Sequence, residues 1–149
     1  MRAVVQRVTS ASVEVDGDVV AAIERGFLAL VGVARDDSHD DAQAIASKIA
    51  GLRIFNDESG SMDLGLSDVG GSVLAVSQFT LYGDARRGRR PSFVEAAGSD
   101  VALPLFNLTV ERLRREGVTV QTGVFGARMH VQLVNEGPVT ILLDSRKLF

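Results

Sequence analysis

With 149 residues, 46% of them hydrophobic, the chain can bury one substantial core and is too short for two comfortable ones. It has no cysteine, which excludes disulfides, thiolate catalysis and cysteine-based zinc sites and suits a reducing, cytoplasmic setting. A net charge of -3 argues against non-specific coating of nucleic acid, whose strength scales with the phosphates neutralised.

The charge is unevenly spread, with Asp36, Asp37, Asp40 and Asp41 early and Arg86, Arg87, Arg89 and Arg90 crowding one short stretch. No apolar run approaches the ~20 residues that cross a bilayer, and Arg2 to Val8 alternates instead of leading into an apolar block. Neither a membrane nor export is expected.

In chain order, residues 2 to 8 and 11 to 15 read as strands. Asp16-Gly17-Asp18 supplies the turn of a hairpin into Val19 to Ile23. Gly26 to Val33 is nearly continuous in apolar residues, as in a strand buried on both faces. Ser38, three residues before Asp41, opens a helix with Ala42, Ile45, Ala46 and Ile49 on one face, ending near Gly51. Leu52 to Phe55 predicts a short strand, Asn56 to Gly60 a turn and Ser72 to Phe79 a further apolar strand.

Gly83 to Gly98 mixes glycine, proline and charge without either regular period, so a substrate loop is expected there. Asp100 is placed to cap a helix running to Glu116, with Leu105, Phe106, Val110 and Leu113 facing inward. Strands follow over Val118 to Gln121, Met129 to Val134 and Val139 to Leu143. This order predicts a single α/β or α+β domain over residues 1 to 149, with a mixed, largely antiparallel sheet packed by two main helices. Regular βαβ alternation and glycine-rich phosphate fingerprints are missing, which argues against a dinucleotide-binding fold.

The chemical inventory is narrow. His39 and His130 stand at no metal spacing, and His130 alternates with apolar neighbours as a surface strand residue would. No metal or other cofactor is expected. A Gly-x-Ser-x-Gly elbow is absent, so a serine triad lacks its usual parts. Two polar segments remain.

Ser77-Gln78-Phe79-Thr80 ends an apolar strand, where a scaffold holds polar groups rigidly while they meet solvent. Its backbone N–H groups could line an oxyanion hole, and Thr80 could act as a nucleophile or an orienting hydroxyl. On this segment alone, local bonding of Ser77 and Thr80 to the turn explains them as well. Asn135-Glu136-Gly137-Pro138-Val139-Thr140 interrupts two apolar strands, which an ordinary turn at the tip of a last hairpin explains economically.

Taken together, these motifs say more. A Ser-Gln-Phe-Thr strand end, Arg-Pro-Ser-Phe at Arg90 to Phe93, Gly-x-Phe-Gly-Ala-x-Met at Gly123 to Met129 and a late Asn-x-Gly-Pro-Val-Thr occur in one order. With the opening Met-Arg-Ala-Val-Val-Gln-Arg-Val, they resemble the D-aminoacyl-tRNA deacylase family over nearly the whole chain. Glu136 stands where that family often carries a smaller acidic residue.

The resemblance implies a barrel-like sheet and a homodimer that hydrolyses the ester between a D-amino acid and the 3′ end of tRNA. It implies that Gly137 and Pro138, joined by a cis bond, enter the neighbouring subunit's pocket and select chirality. There their backbone carbonyls engage the substrate amino group and leave no room for an L side chain. Ser77, Gln78 and Phe79 would hold the terminal adenosine and ester carbonyl, with donors at Phe79 or Thr80 facing the oxyanion. Phe125 and Met129 match positions around the adenine.

No histidine, lysine or carboxylate in these motifs is placed to activate Thr80, which favours a positioning hydroxyl assisted by the RNA's own 2′-OH. Arg86, Arg87, Arg89 and Arg90 are candidate contacts for acceptor-stem phosphates. The competing readings are a non-catalytic RNA-binding module, in which Phe93 and the arginine loop grip RNA, and a metabolic esterase or structural dimer.

Overall fold

The computed structural model describes residues 1–149. β1 (Arg2–Val15) is one long strand, where the sequence suggests two. A two-residue turn leads from it into β2 (Asp18–Ile23), and Asp16 and Gly17 both take the positive φ that such tight hairpins require. β3 (Gly26–Gly32) returns along the first half of β1, antiparallel to it.

α1 (His39–Gly51) begins as expected, with the Ser38 N–H and hydroxyl both donating to the Asp41 carboxylate at 2.8 and 2.9 Å. A short hairpin follows, made of β4 (Phe55–Asn56) and β5 (Met62–Leu64), and then the single-turn α2 (Leu66–Val69). The expected strand at Leu52 to Phe55 shrinks to the start of this hairpin. β5 and α2 are too short to leave a periodic signal in the sequence.

β6 (Ser72–Ser77) pairs in parallel with β3, and β7 (Thr119–Thr122) in parallel with β6. Between them runs α3 (Ser99–Arg115), whose N-cap is Gly98, so Asp100 lies in the first turn instead of capping it. β8 (His130–Asp144) closes the chain, antiparallel along the other edge of β1. The result is a mixed sheet of order β2-β1-β3-β6-β7 with β8 added on β1. It is bent far enough that the Gln121 side chain of β7 accepts a hydrogen bond from the Ala22 N–H of β2 at 2.9 Å. The mixed, barrel-like fold expected from the sequence is the one adopted.

Two apolar clusters hold this sheet. Val5, Phe27, Val31 and Val73 pack beneath α1 and α3, which contribute Ile45, Ile49, Leu105, Phe106 and Leu113. Val13, Leu28, Leu74 and Val76 form the second cluster on the opposite face, with Met129 and Val131 against them. β3 and β6 are therefore buried on both sides, as the continuous apolar run of Gly26 to Val33 suggested. Truncating Leu74 would remove about 2 to 5 kcal/mol of stability. The consequence for function is a stiff β6 whose last residues leave the core at a fixed place.

Candidate active site

β6 ends at Ser77. The Gln78 N–H still donates to the Val31 carbonyl at 2.8 Å, which continues the parallel pairing by one residue. The chain then turns into a 3-10 helix over Phe79–Tyr82. The opening N–H groups of such a turn find no partner inside it, and those of Phe79 and Thr80 donate to no other group of the chain. The Gln78 amide donates to the Thr80 hydroxyl, so the two side chains brace one another at the mouth of the turn. Below, burial first and the nearby Asp37 charge second push the Tyr82 phenol well above its usual value.

Ser77, Gln78 and Phe79 form one wall of a cleft of about 370 Å³. Facing them are Phe125 and Met129, with Val33, Val76 and Val131 as the floor and Ala97, Ser99 and Ala102 bringing in the start of α3. The segment between β7 and β8 thus folds back over the end of β6, and Phe125 is fixed there by Phe106, ring centroids 6.3 Å apart. Met129 fits because residue 123 has no side chain: a Cβ on Gly123 would lie 2.7 Å from the Met129 sulfur. The cleft is lined by no aspartate, glutamate, histidine, lysine or arginine. Its walls supply apolar surface, a few hydroxyl and amide groups and the unengaged Phe79 N–H. Thr80 stands just outside, reached through Gln78.

Gly137 and Pro138 lie elsewhere. They are exposed, and they line no part of this cleft. The expected hairpin tip is absent as well, because β8 runs on through the segment as a bulge. In the register against β1, Gln6 faces Thr140 and Val8 faces Asn135, so β8 spends extra residues where β1 spends one. The Gly137-Pro138 peptide is cis, and Gly137 has a φ of 127°. Asn135 ties the base of the bulge: its side-chain oxygen accepts from the Val139 N–H at 3.1 Å, and its amide donates to the Thr140 hydroxyl at 3.1 Å.

The principal support of the bulge is a residue that sequence reasoning missed. Arg7 is buried, and its guanidinium donates to the carbonyls of Glu136 at 3.1 Å and Ile54 at 2.7 Å and to the Asn56 side chain at 2.6 Å. The Glu136 carboxylate lies 3.4 Å away as its counter-charge. A buried charge survives only when paired and hydrogen-bonded in this way. The signal was present, since Arg7 has the same strand parity as Ala3 and Val5, both buried.

The loop after the 3-10 turn is pinned at its base, with Asp84 and Ser92 exchanging backbone hydrogen bonds of 2.8 and 2.9 Å. Arg86 folds back on Asp84, donating to both carboxylate oxygens at 2.8 and 2.7 Å, and this holds the Asp84 carboxyl far below the usual range. Arg87, Arg89 and Arg90 are exposed and form no ion pair or hydrogen bond with the chain. The arginine cluster thus divides into one internally neutralised member and three free ones. His130 is on the surface, 3.6 Å from the Glu14 carboxylate, as its alternation suggested.

Comparison with known proteins shows the family. Residues 4–144 match the family described as D-Tyr-tRNA(Tyr) deacylase. A D-aminoacyl-tRNA deacylase of Thermotoga petrophila is 59% identical over 149 residues, covering 100% of both chains. One of Koribacter versatilis is likewise 59% identical, with 100% of both chains covered. Among solved structures, a c-Myc DNA unwinding element binding protein superposes with a TM-score of 0.89 at 40% identity, over 97% of this chain and 98% of that one. By fold, motif order and full-length similarity, the chain belongs to the D-Tyr-tRNA(Tyr) deacylase family.

Proposed function

We propose that the chain acts in the cytoplasm as a homodimeric hydrolase that cleaves the ester between a D-amino acid and the 3′ end of tRNA. The observation that carries this reading is a cleft with no titratable side chain, lined by Phe79, whose N–H is unengaged, with the equally unengaged Thr80 N–H just outside it. Such a site cannot supply a general base or an activated nucleophile of its own. It can hold an already labile ester and stabilise the oxyanion formed when its carbonyl is attacked. The attacking water is then assisted by the 2′-OH of the terminal ribose, and Thr80, held by Gln78, positions groups without forming a bond to the substrate. Phe125 and Met129 flank the adenine, with the ester carbonyl turned toward Phe79 and Thr80.

Selection of the D hand is assigned to the backbone of Gly137 and Pro138, entering the cleft of a second copy. Handedness belongs to Cα, so main chain pressed against Cα rejects one enantiomer whatever the side chain is. A glycyl ester, with no side chain to collide, passes the same filter. Arg87, Arg89 and Arg90 contact acceptor-stem phosphates, which fixes register without reading sequence.

Incubating the protein with D-tyrosyl-tRNA and L-tyrosyl-tRNA tests the proposal. Loss of the D ester alone is expected, and equal loss of both hands contradicts chiral selection. The name of the solved relative, a DNA-binding protein, favours as a second reading a nucleic-acid-binding module without catalysis. Tight binding of both tRNAs with neither ester cleaved would establish that reading instead.

A further inference from the structure

Phe93, the last residue of Arg90-Pro91-Ser92-Phe93, has no part in the site described so far. It lies directly after Ser92, which closes the arginine loop against Asp84. Its ring meets the ring of Phe79 edge to face, with centroids 5.2 Å apart and planes at 67°. The chain gives this pair a fixed seat. Gly83 clears space for it, since a Cβ there would lie 3.1 Å from the Phe93 ring. Ala96 and Ala97, just beyond, are tied to Phe93 and Val33 through backbone bonds of 3.0 and 2.9 Å. Yet Phe79 stays 55% exposed and Phe93 36% exposed. Both rings are therefore held in place and still reachable from outside at the lip of the cleft.

We infer that Phe79 and Phe93 form a stacking shelf for the nucleobase that precedes the terminal adenosine. The inference rests on the proposed deacylase reading. Phe79 lines the cleft, and Phe93 stands beyond it on the side of the arginine loop. An RNA 3′ end with its last nucleoside in the cleft would lead its next base over these rings and its phosphates toward Arg87, Arg89 and Arg90. Rings alternating with free guanidiniums are how proteins hold single-stranded RNA, because every base has a face to stack and every linkage a charge to neutralise. The occupant is therefore single-stranded RNA, bound without regard to base identity.

The test compares the D-tyrosyl ester of adenosine alone with the same ester on a short RNA ending in cytidine, cytidine and adenosine. Phe93→Leu keeps apolar packing against Phe79 and Gly83 and removes the stacking face. It is expected to raise KM for the RNA ester about tenfold, with kcat unchanged and the adenosine ester cleaved as before. Phe93→Tyr is expected to behave as wild type. Equal impairment on both esters, or none on either, overturns the shelf. If the wild-type protein cleaves neither ester, the deacylase reading fails and the shelf with it.

A binding measurement separates the shelf from turnover. An unacylated RNA with 2-aminopurine in place of the second-last base should be quenched by wild type and Phe93→Tyr and not by Phe93→Leu. Quenching that survives in Phe93→Leu, or is absent in wild type, contradicts the inference.

Discussion

The strand end at Ser77 to Tyr82 and the bulge at Asn135 to Thr140 are the two polar interruptions in an otherwise apolar sheet, and they are built in opposite ways. The first closes a strand buried on both faces, and it presents Ser77, Gln78 and Phe79 to a cleft walled by its own chain. The second sits on an edge strand, is braced from within by Arg7 and Asn135, and exposes Gly137 and Pro138 to the outside. One region receives and the other projects. In the two-fold pair we propose, each bulge meets the other's cleft.

Separating the chemistry of the two regions gives the largest expected effect. Phe79→Pro deletes one backbone donor at the first position of the 3-10 turn, which proline tolerates, and Gln78 before it, at φ -141° and ψ 83°, lies outside the helical region that a following proline disfavours. Relative to Phe79→Ala, which lacks only the ring, deacylation should fall a further hundredfold or more in kcat. Equal activity of the two variants would remove the oxyanion role from Phe79.

The bulge should respond in stability before chemistry. Arg7→Met leaves the carbonyls of Ile54 and Glu136 and the Asn56 side chain without their donor, at a cost of about 3 kcal/mol in urea unfolding. The surviving folded protein should also cleave L-tyrosyl-tRNA measurably, because the projecting backbone has lost its anchor. Unchanged stability would mean that Arg7 does not support the bulge. The smallest effect is expected at Thr80. Thr80→Val should lower kcat only about tenfold, the value of one hydrogen bond, whereas a loss beyond a thousandfold would make the hydroxyl a nucleophile.

Which parts of this were legible in the sequence follows from periodicity and length. The hairpin at Asp16-Gly17, the one-faced helices and the doubly buried β3 carry strong local patterns, and each forms where it was read, with only the cap of α3 moved from Asp100 to Gly98. The cleft carries no local pattern, since Ser77, Gln78, Phe79, Phe125 and Met129 come from distant segments and line it together. Only the family resemblance implied that grouping, because spacing alone carries no information about contacts across the sheet.

The continuity of β8 was not legible. Glycine and proline in succession signal a turn locally, and only the long partner β1 keeps the strand going through them. Arg7 was overlooked because a charged residue in an alternating strand is ordinarily assigned to solvent. Its partners at Ile54, Asn56 and Glu136 come together only in the fold. The pairing of Arg86 with Asp84 was readable in principle, as the two are close in sequence, but a run of arginines suggests a uniform patch.

The claim that one copy's bulge completes the other's cleft is tested by mixing two impaired proteins. Phe79→Pro disables the cleft. Gly137→Ala disables the bulge, since residue 137 has a φ of +127° and a Cβ there would lie 3.0 Å from the Val139 nitrogen and 3.2 Å from the Arg7 guanidinium. If sites are shared, unfolding and refolding the pair together at equal amounts should restore D-tyrosyl-tRNA cleavage to roughly a quarter of wild type, because half the pairs then hold one intact site of two. Activity that stays at the level of the separate variants would contradict the account.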